Sequence, residues 1–390
     1  MGIELELDMS KKKVFVKDAS SIGGLNTGFF GKMQRGIIEL EPQEALYLID
    51  VRNAKCLDSQ SNICTFNDIA TLLYDKISLA KYFAYSAWRN RGLIAKKMYL
   101  FTKKFSNMPI VLYPSKKFEK YDFSFLANFY PNDLTSVVQD DFVAKKIYED
   151  GWFGQYGSYK NETRGTTCKL DAFETLFLQK YSGLEVHNQN REQLIKICKK
   201  RRNDFEKLNS IYEDWRLNGF ILKTGFKFGT HFRVYFPGAG PFKGEKWTHS
   251  KHVLHVFAKK SKMLISEWAR AIRVAHSVRK TFVLAIEGQK KRCTHVSSKT
   301  SLDFVLYHRK KDNIAKPNQD DPKYLMMALY EEQYLSAEQL AHAIEECKQI
   351  GLGLILAIVD RETSVTFYEV KRIDIPGSDF EYYELEWVQP

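Results

Sequence analysis

The six cysteines, Cys56, Cys64, Cys168, Cys198, Cys293 and Cys347, never form a C-x-x-C pair. The commonest zinc-site spacing is therefore absent, and so is the spacing of a disulfide framework. A reducing, intracellular setting fits this usage. Long apolar runs are missing too. The longest, near residues 352–359, is far below the ~20 residues needed to cross a bilayer. The start, Met-Gly-Ile-Glu-Leu-Glu-Leu, alternates acidic and apolar residues and lacks the pattern of a signal peptide. A cytoplasmic protein with no membrane association is expected. Acidic charge is in deficit, with 47 Asp and Glu against 59 Lys and Arg, a net charge of +12 and a pI near 9.1. That balance suits a polyanionic partner. Glu287-Gly-Gln-Lys290 follows an apolar run. It is one residue too long for the Glu-x-Lys pair of metal nucleases, and no partner Asp stands on a matching strand before it. No metal or cofactor is expected.

What is present is length, aromatics and repetition. A chain of 390 residues can build two or three domains with real cores. Aromatics make up 14% and often neighbour cations, as in Lys81-Tyr82-Phe83. Such mixtures can stack on unpaired bases, although most serve as core. Residues 3–7 and 14–16 predict a hairpin over Ser10-Lys-Lys-Lys13. Residues 42–51 predict a helix with Pro42 in its first turn. Residues 66–91 read as one helical stretch stopped by Gly92, and strands are expected from Leu93 through Tyr113.

The pattern then recurs. Trp88-Arg89-x-x-Gly92-x-Ile94 returns as Trp215-Arg216-x-x-Gly219-x-Ile221. Glu44-Ala-Leu-Tyr-Leu48 returns as Glu174-Thr-Leu-Phe-Leu178, and Gly28-Phe-Phe-Gly31 as Gly151-Trp-Phe-Gly154. A second duplication follows, and its offset is constant. Phe232-x-x-Tyr235 returns as Phe304-x-x-Tyr307, and Leu284-Ala-Ile286 as Leu356-Ala-Ile358. Under the same offset His249 becomes Asp321, Lys280 becomes Leu352 and Arg273 becomes Glu345. The later repeat keeps the apolar positions and loses the acid and the phosphate cation, so it should be structural.

The stretch 225–286 predicts strand, loop, strand, helix, strand. Tyr235 ends one strand before Pro237-Gly238, His249 opens the next, and Lys280 lies where helix hands over to strand. Groups able to act on protons or phosphate thus fall at element ends, where side chains can converge.

These residues resemble the archaeal tRNA-intron splicing endonucleases. The resemblance rests on His231-Phe-Arg-Val-Tyr235, on His249-Ser250 followed by Val256, and above all on Arg273-Val-Ala-His-Ser-Val-Arg-Lys280. It implies a catalytic triad of Tyr235, His249 and Lys280. Cleaving RNA without a metal needs a base for the ribose 2′-hydroxyl, an acid for the leaving 5′-oxygen and a cation beside the phosphate. A Tyr can be the base only if nearby cations lower its pKa from about 10. His suits the acid and Lys the phosphate. Alternatives are an inactive tRNA-binding module and a metal-dependent restriction-type nuclease.

The family further implies an α+β fold in a three-unit form. The boundaries are an N-terminal half unit over 1–117, a complete catalytic unit over 118–297 and a structural half unit over 298–390. The middle unit divides into a layer over 118–217 and a nuclease domain over 218–297. Its substrate would be precursor tRNA cut at bulge-helix-bulge motifs, and its assembly a homodimer docked through Asp360 and Glu362. Arg273 would be half of a clamp on a bulged base. The other half falls on His295, with Arg292 the neighbouring candidate. Lastly, Gly151 to Glu174 is seven residues longer than Gly28 to Glu44. The extra residues fall at 157–166, a polar surface loop whose Lys160 and Arg164 are candidate RNA contacts.

Overall fold

The computed structural model describes residues 2–73, 78–159, 161, 164–241, 249–258, 261–290, 300–310 and 313–390. The fold is α+β. One central sheet organises it, with strand order 221–224, 232–235, 252–257, 281–290, 380–388, 365–374, 353–359, 324–330, 304–307, 94–97, and 110–112 joined beside 365–374. Val365–Asp374 and Phe380–Val388 are antiparallel at its centre. On either side the same succession runs outward: a strand parallel to its outer neighbour, then two antiparallel pairings.

The offset of the second duplication holds to the residue across this sheet. Phe232–Tyr235 matches Phe304–Tyr307, Lys262–Leu264 matches Tyr334–Ser336, and His252 and Thr281 open strands as Tyr324 and Gly353 do. The crossover helices, Ile265–Ser277 and Ala337–Ile350, share their buried stripe. Ile265, Trp268, Ile272 and Ala275 face the core in one, and Ala337, Leu340, Ile344 and Cys347 in the other. That spacing of three and four residues is what an amphipathic helix on a sheet requires.

Two smaller sheets sit on the faces of the central one. Their strand orders correspond: 32–34, 37–40, 13–16, 4–8, 55–58 in the first, and 155–156, 168–171, 135–138, 125–130, 184–186 in the second. The first layer packs its core against Phe304, Leu306, Met326 and Ile355 of the later nuclease repeat. The second packs against Phe232, Val234, Leu254 and Val283 of the earlier one. A buried ion pair joins each layer to its nuclease strand. Lys96 Nζ reaches Glu44 at 3.4 Å, and Lys223 Nζ reaches Glu174 at 2.7 Å. The same carboxylates accept from the backbone N–H of Gly31 and Gly154.

Three expectations need correction. Residues 66–91 hold two helices, Phe66–Leu72 and Leu79–Arg89, because Ser78 is extended and starts a new helix. Residues 93–113 hold only the short strands Ile94–Lys97 and Ile110–Leu112. Between them the backbone crosses the later repeat, where Phe105 and Asn107 donate to the carbonyls of Ile350 and Gly351. The strand after Tyr235 opens at His252 rather than His249, because register with Phe232–Tyr235 and with Thr281 begins only there.

Candidate active site

Three neighbouring strands bring the candidate residues to one edge of the sheet. Val234 and Thr281 both pair with His252. Tyr235, at the end of its strand, and Lys280, just before Thr281, therefore flank the turn that carries His249 and Ser250. Lys280 gets there through its preceding residue. The helix stops at Ser277, and Arg279 takes the left-handed conformation, φ 56°. Lys280 N–H then closes back on the Ala275 carbonyl.

Ser250 is the hub, and the sequence reading did not single it out. Its hydroxyl accepts from Lys280 Nζ at 2.9 Å and lies near enough to Tyr235 to lower the phenol's pKa. Its carbonyl takes a second bond from the same ammonium. Ser250 is buried while its neighbour His249 is exposed. The Phe228 ring lies 5.1 Å from Lys280 Nζ. Trp152, from the second N-terminal layer, packs on Tyr235 with ring centroids 4.7 Å apart. The site is thus built from two folded layers.

The electrostatics run against one expectation. Tyr235 is buried, and burial raises its pKa. Arg233, whose guanidinium stands 5.9 Å from the ring, and the nearby Ser250 hydroxyl pull it down, but less than burial pushes it up. The phenol is therefore neutral in the resting protein. Lys280 moves the other way, lowered by burial and then by Arg233. Behind the site His252 stacks on Phe236 and is pushed down to about 4 by burial and the charges of Lys251 and Lys280. It is a neutral wall rather than a proton donor.

The remaining candidates are spread more widely. Arg273 is exposed on its helix and lines a groove with Arg270, Ser277, Glu331 and Ile358. Lys280 is seven residues after Arg273 and lies beyond the helix end at Ser277, so helical spacing does not set the direction of the one from the other. Arg164 is exposed at the base of the long loop between Gln155–Tyr156 and Cys168–Asp171. That loop replaces the two-residue turn Arg35-Gly36 of the first layer. Its Tyr159 is 66% exposed and adds the smallest contribution to the rise of the Tyr235 pKa. Asp360 accepts from the backbone N–H of Glu362 and Ser364 within its own turn, and Glu362 is exposed. Lys160, Arg292 and His295 lie outside the described residues.

The later repeat carries no such arrangement among the described residues. Tyr307 is buried, with its hydroxyl 3.2 Å from that of Tyr99. Asp321 pairs with Lys103, and Leu352 is fully buried. Among the described residues no group of three or more His, Cys, Asp or Glu is placed to hold a metal ion. No helix among them is long and apolar enough to cross a membrane.

Sequence comparison agrees with this geometry. The catalytic C-terminal domain of tRNA intron endonuclease matches residues 205–296, the span that holds Tyr235, His249 and Lys280. The N-terminal domain of tRNA intron endonuclease matches residues 5–68. A tRNA-splicing endonuclease of Hyperthermus butylicus is 30% identical over 165 residues, covering 88% of that protein and 40% of this chain. The chain belongs to the tRNA intron endonuclease family. Its catalytic domain makes it an enzyme of that family. The relative from Pyrococcus furiosus, also a tRNA-splicing endonuclease, is 33% identical over 71% of its length and 32% of this chain. That from Methanococcoides burtonii is 31% identical over 38% of this chain, a match spanning 42% of the relative.

Proposed function

We propose that this chain cleaves precursor tRNA at the splice sites of bulge-helix-bulge motifs without a metal ion. The observation that carries the proposal is that neighbouring strands bring Tyr235 and the Ser250-bound Lys280 to one sheet edge, with exposed His249 next to Ser250 in the chain. Tyr235 takes the proton of the ribose 2′-hydroxyl, whose oxygen attacks the adjacent phosphorus. The bond to the 5′-oxygen breaks, and that oxygen takes a proton from His249. Lys280 neutralises the charge that builds on the non-bridging oxygens. The products are a 2′,3′-cyclic phosphate and a 5′-hydroxyl. Because burial holds Tyr235 mostly neutral at rest, the base is the small fraction already ionised by proton loss to solvent, and Arg233 is the cation placed to enlarge it.

The organisation follows the three-unit form: a half unit over 1–117, a complete unit over 118–297 and a structural half unit over 298–390. The packing of the first layer on the later nuclease repeat supports reading the two half units as together completing a second, inactive unit. One chain then supplies one triad, and excising an intron takes two cuts. We infer a homodimer, with Asp360 and Glu362 entering a basic pocket of the partner. Arg273, with His295 or Arg292, grips a bulged base, and the loop carrying Lys160 and Arg164 adds a contact that widens the range of bulges accepted.

The test is to incubate the protein with a bulge-helix-bulge RNA in EDTA and analyse the ends. Cyclic phosphate and 5′-hydroxyl ends in EDTA support the reading. Cleavage that needs a divalent cation, or 5′-phosphate ends, removes it. Sedimentation of a fully active monomer would remove the homodimer.

A further inference from the structure

The internal duplication shows an occupied groove in one layer and the same groove open in the other. In the second layer, residues 116–123 run along the end of helix Phe205–Leu217. Lys116 and Phe118 donate their N–H groups to the carbonyls of Asn218 and Leu217. The Phe118 ring packs 4.9 Å from Phe177 and 6.1 Å from Phe153, and Tyr121 packs 6.4 Å from Phe153. A Cβ on Gly151 would meet the Tyr121 hydroxyl at 2.5 Å. Arg216 lies close enough to that hydroxyl to lower its pKa against the rise caused by burial.

Every residue that receives this segment has a counterpart in the first layer. Phe153, Phe177, Gly151 and Arg216 correspond to Phe30, Tyr47, Gly28 and Arg89. Arg89 repeats the hydrogen bond to a glycine carbonyl, at 2.9 Å, and the stacking over a phenylalanine, at 4.1 Å, that Arg216 makes. Yet no described aromatic side chain takes the place of Phe118 and Tyr121. These counterparts line an open groove of about 500 Å³. The helix Ala19–Thr27 that walls it is rich in small residues, where its counterpart Asp141–Gly151 carries Ile147 and Tyr148. Among the described residues three cations, Arg52, Arg89 and Lys316, line it, and no carboxylate does.

We propose that this groove is a docking site for an extended segment of a partner protein. That segment presents two aromatic side chains three residues apart with a carboxylate beside them. Residues 116–123, Lys-Lys-Phe-Glu-Lys-Tyr-Asp-Phe, are its internal template. The backbone binds along the end of helix Leu79–Arg89, the rings enter the Phe30–Tyr47 cleft, and Arg52 or Lys316 pairs with the acid.

The experiment titrates the full-length protein against a fluorescein-labelled peptide of residues 116–124, read by anisotropy. Saturable one-to-one binding is expected. It should weaken by about tenfold or more when the peptide carries Phe118→Ala with Tyr121→Ala, the usual loss for anchor rings. The protein variant Gly24→Trp should do the same, since a Cβ there meets nothing within 4 Å and a ring would fill the groove. Arg52→Glu, an exposed change that spares the fold, should weaken binding by several-fold and keep the test valid if Gly24→Trp folds poorly. Absence of saturation overturns the proposal. So does binding indifferent to both protein variants, or displacement of the peptide by bulge-helix-bulge RNA, which would make the groove an RNA site.

Discussion

Lys280 and Leu352 occupy one position in two repeats of the same nuclease fold, and what lies over them differs. The residue before each is left-handed: Arg279 at φ 56° and Gly351 at φ 82°. Both repeats need that conformation to turn from helix to strand. In the later repeat residues 98–109 pass over the turn, and a Cβ on Gly351 would fall 1.9 Å from the Phe105 carbonyl oxygen. Only glycine fits. In the earlier repeat Arg279 is exposed, so an arginine is tolerated and Lys280 is left partly open beside Ser250. The comparison separates the requirements of the fold from those of the chemistry. The apolar stripe, the strand registers and the left-handed turn appear in both repeats. The residues proposed as the triad, and an uncovered edge, appear in one.

The largest expected effect breaks the chemical side of that comparison. Lys280→Ala and His249→Ala should each slow cleavage by about 10²–10⁴-fold in single-turnover assays while RNA binding changes far less. Leu352→Lys does not restore a site. It places an unpaired charge in a fully buried position, and its signature should be lost stability by denaturant melts.

Next come the two buried ion pairs, which test the structural side. Glu174→Ala leaves Lys223, at 13% side-chain exposure, without its carboxylate and with the Gly154 carbonyl at 3.0 Å, and should cost about 3 kcal/mol. Glu44→Ala should cost less, because the longer pair leaves Lys96 at 23% exposure and still bonded to the Phe29 and Gly31 carbonyls. Gly351→Ala should destabilise by more than about 1 kcal/mol through the Phe105 contact. Arg279→Gly should stay within about 1 kcal/mol of the parent. Equal losses at 351 and 279 would show that the covering segment does not matter.

The smallest effect concerns pH. Burial raises the Tyr235 pKa above 10.0, so the ionised fraction is small at neutral pH and grows as pH rises. If Tyr235 is the base, cleavage that remains once the imidazole acid is removed by His249→Ala should rise with pH from 7 toward 10, and adding Tyr235→Phe should flatten that slope. Loss of the Lys280 cation, whose pKa is lowered, ends the rise. Arg233→Ala removes the charge that opposes burial. It should slow cleavage at pH 7 by about tenfold or less, each pKa unit being tenfold in ionised fraction.

Much of this was legible in the sequence because repetition exposes it. The constant offset between the two nuclease repeats predicted which strand answers which, and where His249 and Lys280 lose their counterparts. The helices were legible through stripes such as Ile265, Trp268 and Ile272. What escaped depends on contacts between distant segments. Nothing in the local sequence of Lys96 or Lys223 points to their partners, Glu44 and Glu174 in the layers before them. Ser250 stands in a motif the sequence shows, yet its bond to Lys280 beside Tyr235 needs three strands in register. The burial of Tyr235 comes from Trp152 and the second layer, which no local pattern reports. The crossing of residues 98–109 over the later repeat read as more strand, because short apolar runs do not distinguish a strand from a strap.

The central claim is that one repeat cuts RNA and the other only holds the fold. The most direct measurement is single-turnover cleavage of a bulge-helix-bulge RNA in EDTA by Tyr235→Phe and Tyr307→Phe, side by side with the parent protein. The account predicts that Tyr235→Phe loses most of the rate while Tyr307→Phe, whose lost hydroxyl hydrogen-bonds Tyr99, cuts as the parent does. Equal loss in both variants, or a greater loss in Tyr307→Phe, would contradict it.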